Sequence, residues 1–154
     1  MSKGSVVFIY TGEAAKEPLV SVSEAHAVPG RGLAGDRYFN QTGSFWKPLP
    51  DYELTLIEIE AIEDLRRDFG IEFDPGDGRR NIVTRGVSLN DLVGQEFQVG
   101  EVTLRGIRLC EPCKHLARLS HRAVVRGLVH RGGLRAQILT DGKIRVGDVV
   151  NVGH

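Results

Sequence analysis

The sequence predicts a mainly β domain that closes, or nearly closes, into a barrel. Nineteen glycines recur in turn-forming clusters such as PGRG, PGDG and RGG, between short β-branched runs. Turns at this density indicate many short strands rather than a helix bundle. Strand-like runs stand at both ends of the chain, with helical segments between them, which is typical of a barrel. At 154 residues, one domain spanning 1–154 is expected.

The first half of the chain predicts three strands and the longer helix. SVVFIYTG and PLVSVSEA read as the opening strands, and ELTLIEIE reads as a third. The segment IEIEAIEDLRRDFG follows, with Gly70 placed to end a helix. Its apolar residues approximate helical spacing: Ile57, Ile59, Ile62, Leu65 and Phe69.

The second half predicts further strands, broken by glycines. QEFQVGEVTLRGIRL alternates in the manner of strands, and we expect a turn at Gly100 and a bulge at Gly106. QILTDGKIRVGDVVNV predicts two β runs joined through Asp141 and Gly142, a residue pair favoured in tight hairpin turns. The chain should therefore end as it begins, in strands.

Charge and cysteine usage exclude several classes of function. Lys plus Arg is 20 and Asp plus Glu is 20, so no global field draws the chain onto nucleic acid or an acidic membrane. No stretch approaches the roughly 20 apolar residues that span a bilayer, and the N-terminal apolar run is too short for a secretory signal. Two cysteines cannot make a disulfide scaffold. A cytoplasmic protein without nucleic-acid or membrane partners is expected.

The only two cysteines lie in LCEPCKHL, as Cys110 and Cys113. Pro112 is suited to the first turn of a helix, and the KHLARLSHRAVVRGLV that follows has helical character. Cys113 would then meet unpaired backbone N–H groups and the positive end of the helix dipole, with Lys114 and His115 adding positive charge. These conditions lower the pKa of a thiol and favour a reactive thiolate.

Other interpretations of the cysteine pair remain open. Both residues suit small hydrophobic positions at a strand end. A structural zinc site needs four ligands, and only scattered histidines accompany the pair. A dithiol exchange site of the thioredoxin type needs a βαβ setting, and no parallel crossover is expected from the upstream strands.

Basic and glycine-rich stretches predict a site for a small anionic ligand. Arg80 and Asn81 precede the short strand IVT, and HRGGLRA couples two glycines to Arg131 and Arg135. Glycine lets backbone approach a ligand closely, and guanidinium groups bind phosphate or carboxylate oxygens in forked pairs. Alternatively, RGG forms a turn and the arginines are solvated without binding a ligand. In GLAGDRYF, the glycines predict a loop with positive φ, and Asp36 is expected to cap a turn or hold an arginine.

Taken together, the chain resembles the MOSC domain, which occurs at the C-terminus of molybdenum cofactor sulfurases and as small stand-alone bacterial proteins. The resemblance rests on four stretches in order: GLAGDRYF, RRNIVTRGVSLNDLVGQEFQVGEVTLRG, LCEPCKHL and RGGLRAQILTDGKIRVGDVV. It implies a β-barrel of the MOSC or pyruvate kinase β-barrel-like type, closed or partly open, with one longer helix and short helical segments.

The resemblance also implies a function. A cysteine matching Cys113 is proposed in the family to carry sulfur or to ligate the molybdenum of the cofactor, molybdopterin. Thiolates suit both roles, as nucleophiles and as soft metal ligands. The residues assigned to the anionic parts of such a cofactor are Arg80, Asn81, Lys114, Arg131 and Arg135. Sulfur transfer for cofactor or metal–sulfur cluster maturation is the leading expectation.

Two other functions stay open. One is a molybdenum-cofactor-dependent reductase of N-hydroxylated compounds that takes electrons from a separate donor protein. The other is a non-catalytic binding or assembly module with inert thiols. The sulfurases also have a pyridoxal phosphate domain, whereas no pyridoxal phosphate is expected on this chain, which would need a separate sulfur donor.

Overall fold

Seven strands close into a barrel in the computed structural model, which describes residues 3–12, 19–34, 36, 53–70, 80–110 and 133–152. The elements in chain order are β1 (Lys3–Thr11), β2 (Val20–Val22), β3 (Glu24–Val28), β4 (Gly32–Leu33), β5 (Leu54–Glu58), α1 (Ile59–Phe69), β6 (Ile82–Arg85), a 3-10 helix (Leu89–Leu92), β7 (Glu96–Val99), β8 (Val102–Leu109), β9 (Leu134–Ile138), β10 (Gly142–Arg145) and β11 (Val149–Asn151). The predicted mainly β barrel is confirmed.

The barrel runs in the order β11, β7, β8, β9, β5, β6 and β1, and it closes because β11 also pairs with β1. The closing pairs join Gly4 to Val150 and Ser5 to Val149. The other half of β1 pairs with β2, which therefore extends from the ring rather than belonging to it. The long strand β1 thus pairs with three strands, β11, β2 and β6.

One strand pair in the barrel, β5 with β6, is parallel. Parallel neighbours need a crossover connection, and α1 begins directly after β5. The expectation that the chain lacks a parallel crossover is therefore wrong. The crossover is not the setting of Cys110, however, because Cys110 follows β8, which is antiparallel to both β7 and β9.

Helix α1 begins at Ile59, so Ile57 belongs to β5 rather than to the helix. The helix ends as predicted at Gly70, which adopts the left-handed conformation with φ 62° and donates its N–H to the Arg66 carbonyl at 3.1 Å. Within the described residues, no helix has the length and apolar content required to cross a bilayer.

The predicted hairpin at Asp141 and Gly142 is wrong. β10 pairs with β3 in a separate three-stranded sheet with β4, whereas β9 pairs with β8 and β5 in the barrel. Both edges of β9 are occupied, so β10 has no edge of β9 to join. Asp141 instead connects the two sheets, and its Oδ1 lies 2.7 Å from Nε2 of His26 on β3.

Buried apolar side chains form two clusters. The larger, the barrel core, fills the interior with residues from all seven barrel strands and from the 3-10 helix, which contributes Leu89 and Leu92. The smaller cluster lies on the opposite face of β5 and β6, where Ile57 and Val83 pack with Ile59 and Ile62 of α1. Helix α1 therefore packs against the outside of the barrel.

The predicted turn at Gly100 and bulge at Gly106 are confirmed. Gly100 has φ 59° between paired residues Val99 and Val102. The register between β8 and β9 shifts between Gly106 and Arg108. This shift determines which residues of β8 face away from the core.

Candidate functional site

Three of the predicted site residues, Arg80, Asn81 and Arg135, lie in the described part of the chain. Cys113, Lys114 and Arg131 lie outside the described residues. The candidate site is therefore built from the strands that carry the first three, β6 and β9, and from β5 between them.

A row of polar side chains crosses these strands on the outer wall of the barrel, the face that points away from the barrel core. Thr55 lies between Leu54 and Leu56, which are both in the barrel core, so its side chain points outward. The register places Arg135 opposite Thr55. Five residues, one from each of the neighbouring strands β8, β9, β5 and β1 and one just before β6, form what we call the polar row: Arg108, Arg135, Thr55, Tyr10 and Asn81.

Asn81 links three strands of this wall. Its Oδ1 accepts hydrogen bonds from the Thr55 N–H at 3.0 Å and from the Thr55 hydroxyl at 3.2 Å, while its Nδ2 donates to the Tyr10 carbonyl at 3.1 Å. Asn81 is fully buried, and the two bonds from Thr55 occupy both lone pairs of its amide oxygen. The structure therefore gives Asn81 a structural role, and its contact with a cofactor stays a prediction.

Arg80 and Arg135 flank this buried link. Arg80 immediately precedes Asn81, Arg135 lies on the other side of Thr55, and both are half-buried. Two strand spacings, roughly 10 Å, separate the backbone of Arg135 from that of Asn81. Arg135 faces the outer wall because its neighbours Leu134 and Ala136 are in the barrel core, and a ligand shared by Arg80 and Arg135 stays a prediction.

The interior of the barrel is not the place for this ligand. Over the described residues it is packed with aliphatic side chains, among them Leu54, Leu56, Leu104 and Leu134. An anion held by Arg135 would lie against the outer wall instead.

Cys110 closes the end of the β8–β9 ladder. Its N–H donates to the Gly133 carbonyl at 2.7 Å, directly beyond the pair formed by Leu109 and Leu134. The side chain is a free thiol and is 2% exposed. This is the environment of a small buried hydrophobe at a strand end, one of the interpretations that the sequence left open for the cysteine pair.

Gly133 is required by packing against a strand. Its φ is 113°, and a Cβ at this position would overlap the carbonyl oxygen of Leu56 on β5. The glycines of HRGGLRA were expected to let backbone approach a ligand. At Gly133 the close neighbour is the backbone of β5, so this glycine is needed for strand packing rather than for ligand approach.

Asp36 has the structural role expected from GLAGDRYF. The carboxylate is fully buried, and its Oδ1 accepts the N–H of Gly12 at 3.1 Å, just beyond the end of β1. Gly32 has the predicted positive φ, 115°. This motif therefore fastens the β3–β4 segment to the barrel.

Glu53 is a second buried carboxylate, which the sequence did not single out. Its Oε1 accepts the N–H groups of Gly30 and Ile138, both at 3.1 Å, and so joins the β3–β4 turn to the end of β9. Burial raises the pKa of Glu53, and these two backbone hydrogen bonds oppose part of the rise. Both buried carboxylates thus hold the small sheet to the barrel.

Sequence reasoning missed three members of the polar row: Tyr10, Thr55 and Arg108. Thr55 carries a weak signal, since it is the polar residue inside the otherwise apolar run LTLI. Arg108 carries none, because its face depends on the bulge. Among the described residues, no three His, Cys, Asp or Glu side chains group in a way that could hold a metal ion.

Comparisons with known proteins agree with this architecture. The YUAD protein from Bacillus subtilis superposes with a TM-score of 0.80 at 15% identity, covering 96% of this chain and 94% of that one. YiiM from Geobacillus stearothermophilus gives 0.75 at 15% identity, covering 98% and 75%. YiiM from Escherichia coli gives 0.72 at 20% identity, covering 100% and 71%. These similarities establish the fold.

The comparison with curated proteins found no match. A sequence profile described as the MOSC domain, in contrast, matches residues 33–151. This range includes β5 to β11, Asp36, and the wall that carries Arg80, Asn81 and Arg135. The chain therefore belongs to the MOSC domain family.

Proposed function

We propose that this protein carries sulfur on Cys113, or binds the molybdenum cofactor through it, with arginines of the outer wall holding the anionic part of the ligand. The MOSC family is associated with the molybdenum cofactor. The observation that supports the proposal best is the hydrogen bond between Cys110 and Gly133. It brings together the two strand ends from which the chain leads to Cys113 and to Arg131.

Chain length limits how far these residues are from the wall. Cys113 follows Cys110 by three residues, and three residues span at most about 11 Å. Arg131 precedes Gly133 by two residues, or at most about 7 Å. These lengths support the proposal, in which the Cys113 thiol and Arg131 meet a ligand held at Arg135.

The sulfur-carrying step needs a persulfide donor and no redox partner. The Cys113 thiolate attacks the outer sulfur of the donor persulfide, a new S–S bond forms on Cys113, and the donor S–S bond breaks. The donor cysteine leaves as a thiolate, so electrons balance. A thiolate near positive charge suits this chemistry because the ionised form is the nucleophile.

The described residues also fit the anionic end of a molybdenum cofactor. Arg80 and Arg135 are both half-buried, and each offers forked donors that match phosphate oxygens. When bound, the cofactor would supply a metal centre that exchanges oxygen or sulfur with substrates. In this proposal Cys113 provides a soft thiolate ligand, and the arginines orient the phosphate.

The proposal is tested by replacing each cysteine in the full chain. We expect the wild-type protein, incubated with a persulfide donor, to gain the mass of one sulfur atom, or to contain molybdenum as isolated. Cys113→Ser should abolish either signal, and Cys110→Ser should retain most of it. Intact-mass spectrometry and elemental analysis measure the two signals.

Two outcomes would contradict the proposal. Equal loss in both variants would indicate a dithiol mechanism. Absence of sulfur and molybdenum from the folded wild-type protein, together with an ordinary thiol pKa for Cys113 by titration, would indicate a non-catalytic module.

A further inference from the structure

A bulge in β8 decides which face of the barrel Arg108 occupies. After the bulge, Arg108 lies opposite Arg135. If the pairing continued regularly after Gly106, Ile107 would lie opposite Arg135 and Arg108 opposite Leu134, whose side chain is in the barrel core. Because successive residues of a strand point to opposite faces, one inserted residue moves Arg108 to the outer wall. The bulge therefore places Arg108 opposite Arg135 in the register.

The fold holds this bulge in place. Gly106 donates its N–H to the Gln95 carbonyl at 3.0 Å, and its carbonyl accepts the Gly94 N–H at 2.8 Å. A Cβ on Gly106 would overlap the carbonyl of Leu92, at the end of the 3-10 helix. The backbone that follows the 3-10 helix thus fixes where β8 departs from regular pairing. Bulges of this kind often redirect a side chain toward a functional site.

The resulting arginine pair, Arg108 and Arg135, has the geometry of a two-armed anion site. Directly opposite residues of an antiparallel pair have Cβ atoms roughly 5 Å apart on the same face. Two guanidinium groups from such positions reach one oxyanion between them. Arg135 is half-buried, which strengthens its attraction to a bound charge relative to a fully solvated arginine.

The chemistry favours a phosphate monoester over a carboxylate. One guanidinium fork satisfies the two oxygens and single charge of a carboxylate. A phosphate monoester has three terminal oxygens and a charge near −2, which match two forks. We propose that Arg108 and Arg135 together bind a phosphate monoester on the outer wall of the barrel. This inference deepens the proposed function, on which the identity of the phosphate-bearing ligand rests.

The test uses inorganic phosphate as the probe and the full chain as the protein. Isothermal titration calorimetry above neutral pH, at constant ionic strength, should detect phosphate binding to the wild-type protein. Arg108→Gln should weaken that binding about tenfold or more, because charged hydrogen bonds are lost. Arg108→Lys should weaken it less, since the charge remains while the fork is lost. Acetate should bind more weakly than phosphate.

Arg105 provides a matched control. It lies on the same strand and on the same face, but it is opposite Gln137 rather than a second arginine; its Nη2 lies 2.6 Å from Glu96 Oε2. Arg105→Gln should change phosphate affinity by no more than about twofold, as expected for a screened surface charge. Thermal unfolding of each variant establishes that the proteins compared are folded, and Arg108→Lys keeps the test valid if Arg108→Gln is unstable.

Several outcomes would overturn the inference. Unchanged affinity in Arg108→Gln and Arg108→Lys would exclude Arg108 from the site. An equal loss in Arg105→Gln would indicate general surface charge, and equal affinity for acetate would exclude a site shaped for phosphate. Arg108-dependent phosphate binding without sulfur or molybdenum on Cys113 would overturn the proposed function alone. Sulfur or molybdenum on Cys113 without phosphate binding would overturn this inference alone.

Discussion

At the scale of single residues, buried polar groups organise the candidate wall. Asn81 and Thr55 are both fully buried, and they satisfy each other through backbone and side-chain hydrogen bonds. A buried polar group without a partner costs about 1–3 kcal/mol, so such a link is stabilising only when it is complete. Arg80 precedes Asn81 in the chain and Arg135 pairs with Thr55, so the backbone of both arginines adjoins this link.

Asn81→Ala should therefore destabilise the protein. The substitution removes the acceptor of the Thr55 N–H and the donor to the Tyr10 carbonyl, both of which are buried. We expect the free energy of unfolding to fall by about 2–4 kcal/mol, measured by urea denaturation. Gln98→Ala, at an exposed position of β7, is the control and should stay within about 0.5 kcal/mol. A loss below about 1 kcal/mol in Asn81→Ala would refute the structural role.

At the scale of elements, glycines decide how closely the pieces of the barrel approach. Gly106 and Gly133 both lie where a Cβ would overlap a backbone carbonyl, of Leu92 and Leu56 respectively. Gly94, in contrast, has φ 78° and open space where a Cβ would stand, so only its backbone conformation favours glycine. Close packing at one position and a left-handed backbone at another are thus two separate reasons for glycine in this fold.

The comparison of Gly106→Ala with Gly94→Ala measures this difference. Alanine at position 94 should cost about 1–2 kcal/mol, the penalty of a left-handed conformation. Alanine at position 106 should cost about 3 kcal/mol or more, because the Leu92 carbonyl and the 3-10 helix must shift. Chemical denaturation of the two variants provides the values. Equal costs would mean that the backbone near Gly106 yields easily and that the bulge is not held rigidly.

At the scale of the whole molecule, closure joins the first and last strands. β11 pairs with both β1 and β7, so the described barrel has no open edge between its ends. Closure removes unpaired strand edges and encloses one apolar core. Val150, fully buried, and Val149, 51% exposed, are adjacent residues of the closing strand on its two faces.

Replacing each of these valines with alanine tests the closure. Val150→Ala should lower the free energy of unfolding by roughly 2 kcal/mol, through lost burial and a residual cavity in the barrel core. Val149→Ala should change it by less than about 0.5 kcal/mol. Since both substitutions alter β-propensity equally, the difference reports burial. Similar effects at the two positions would argue that β11 does not pack its Val150 face into the core.

Local pattern was sufficient for much of the architecture. The alternation of apolar residues predicted the strands, helical spacing predicted α1, and Gly70 predicted its end, because each depends on residues close in sequence. The four ordered motifs were sufficient for the family. The reactive role of Cys113 and the contacts of Lys114 and Arg131 stay predictions from sequence.

Only the tertiary structure decided which strands are neighbours and which side chains share a face. β9 is occupied on both edges, so Asp141 and Gly142 join two sheets although they are a favoured hairpin pair. The bulge turns Arg108 from the core face to the outer face of the barrel. The periodicity of the sequence does not reveal this change, because the one-residue shift in register depends on the distant backbone at Leu92 and Gln95. Periodicity is a local property, whereas pairing and register are set by long-range packing.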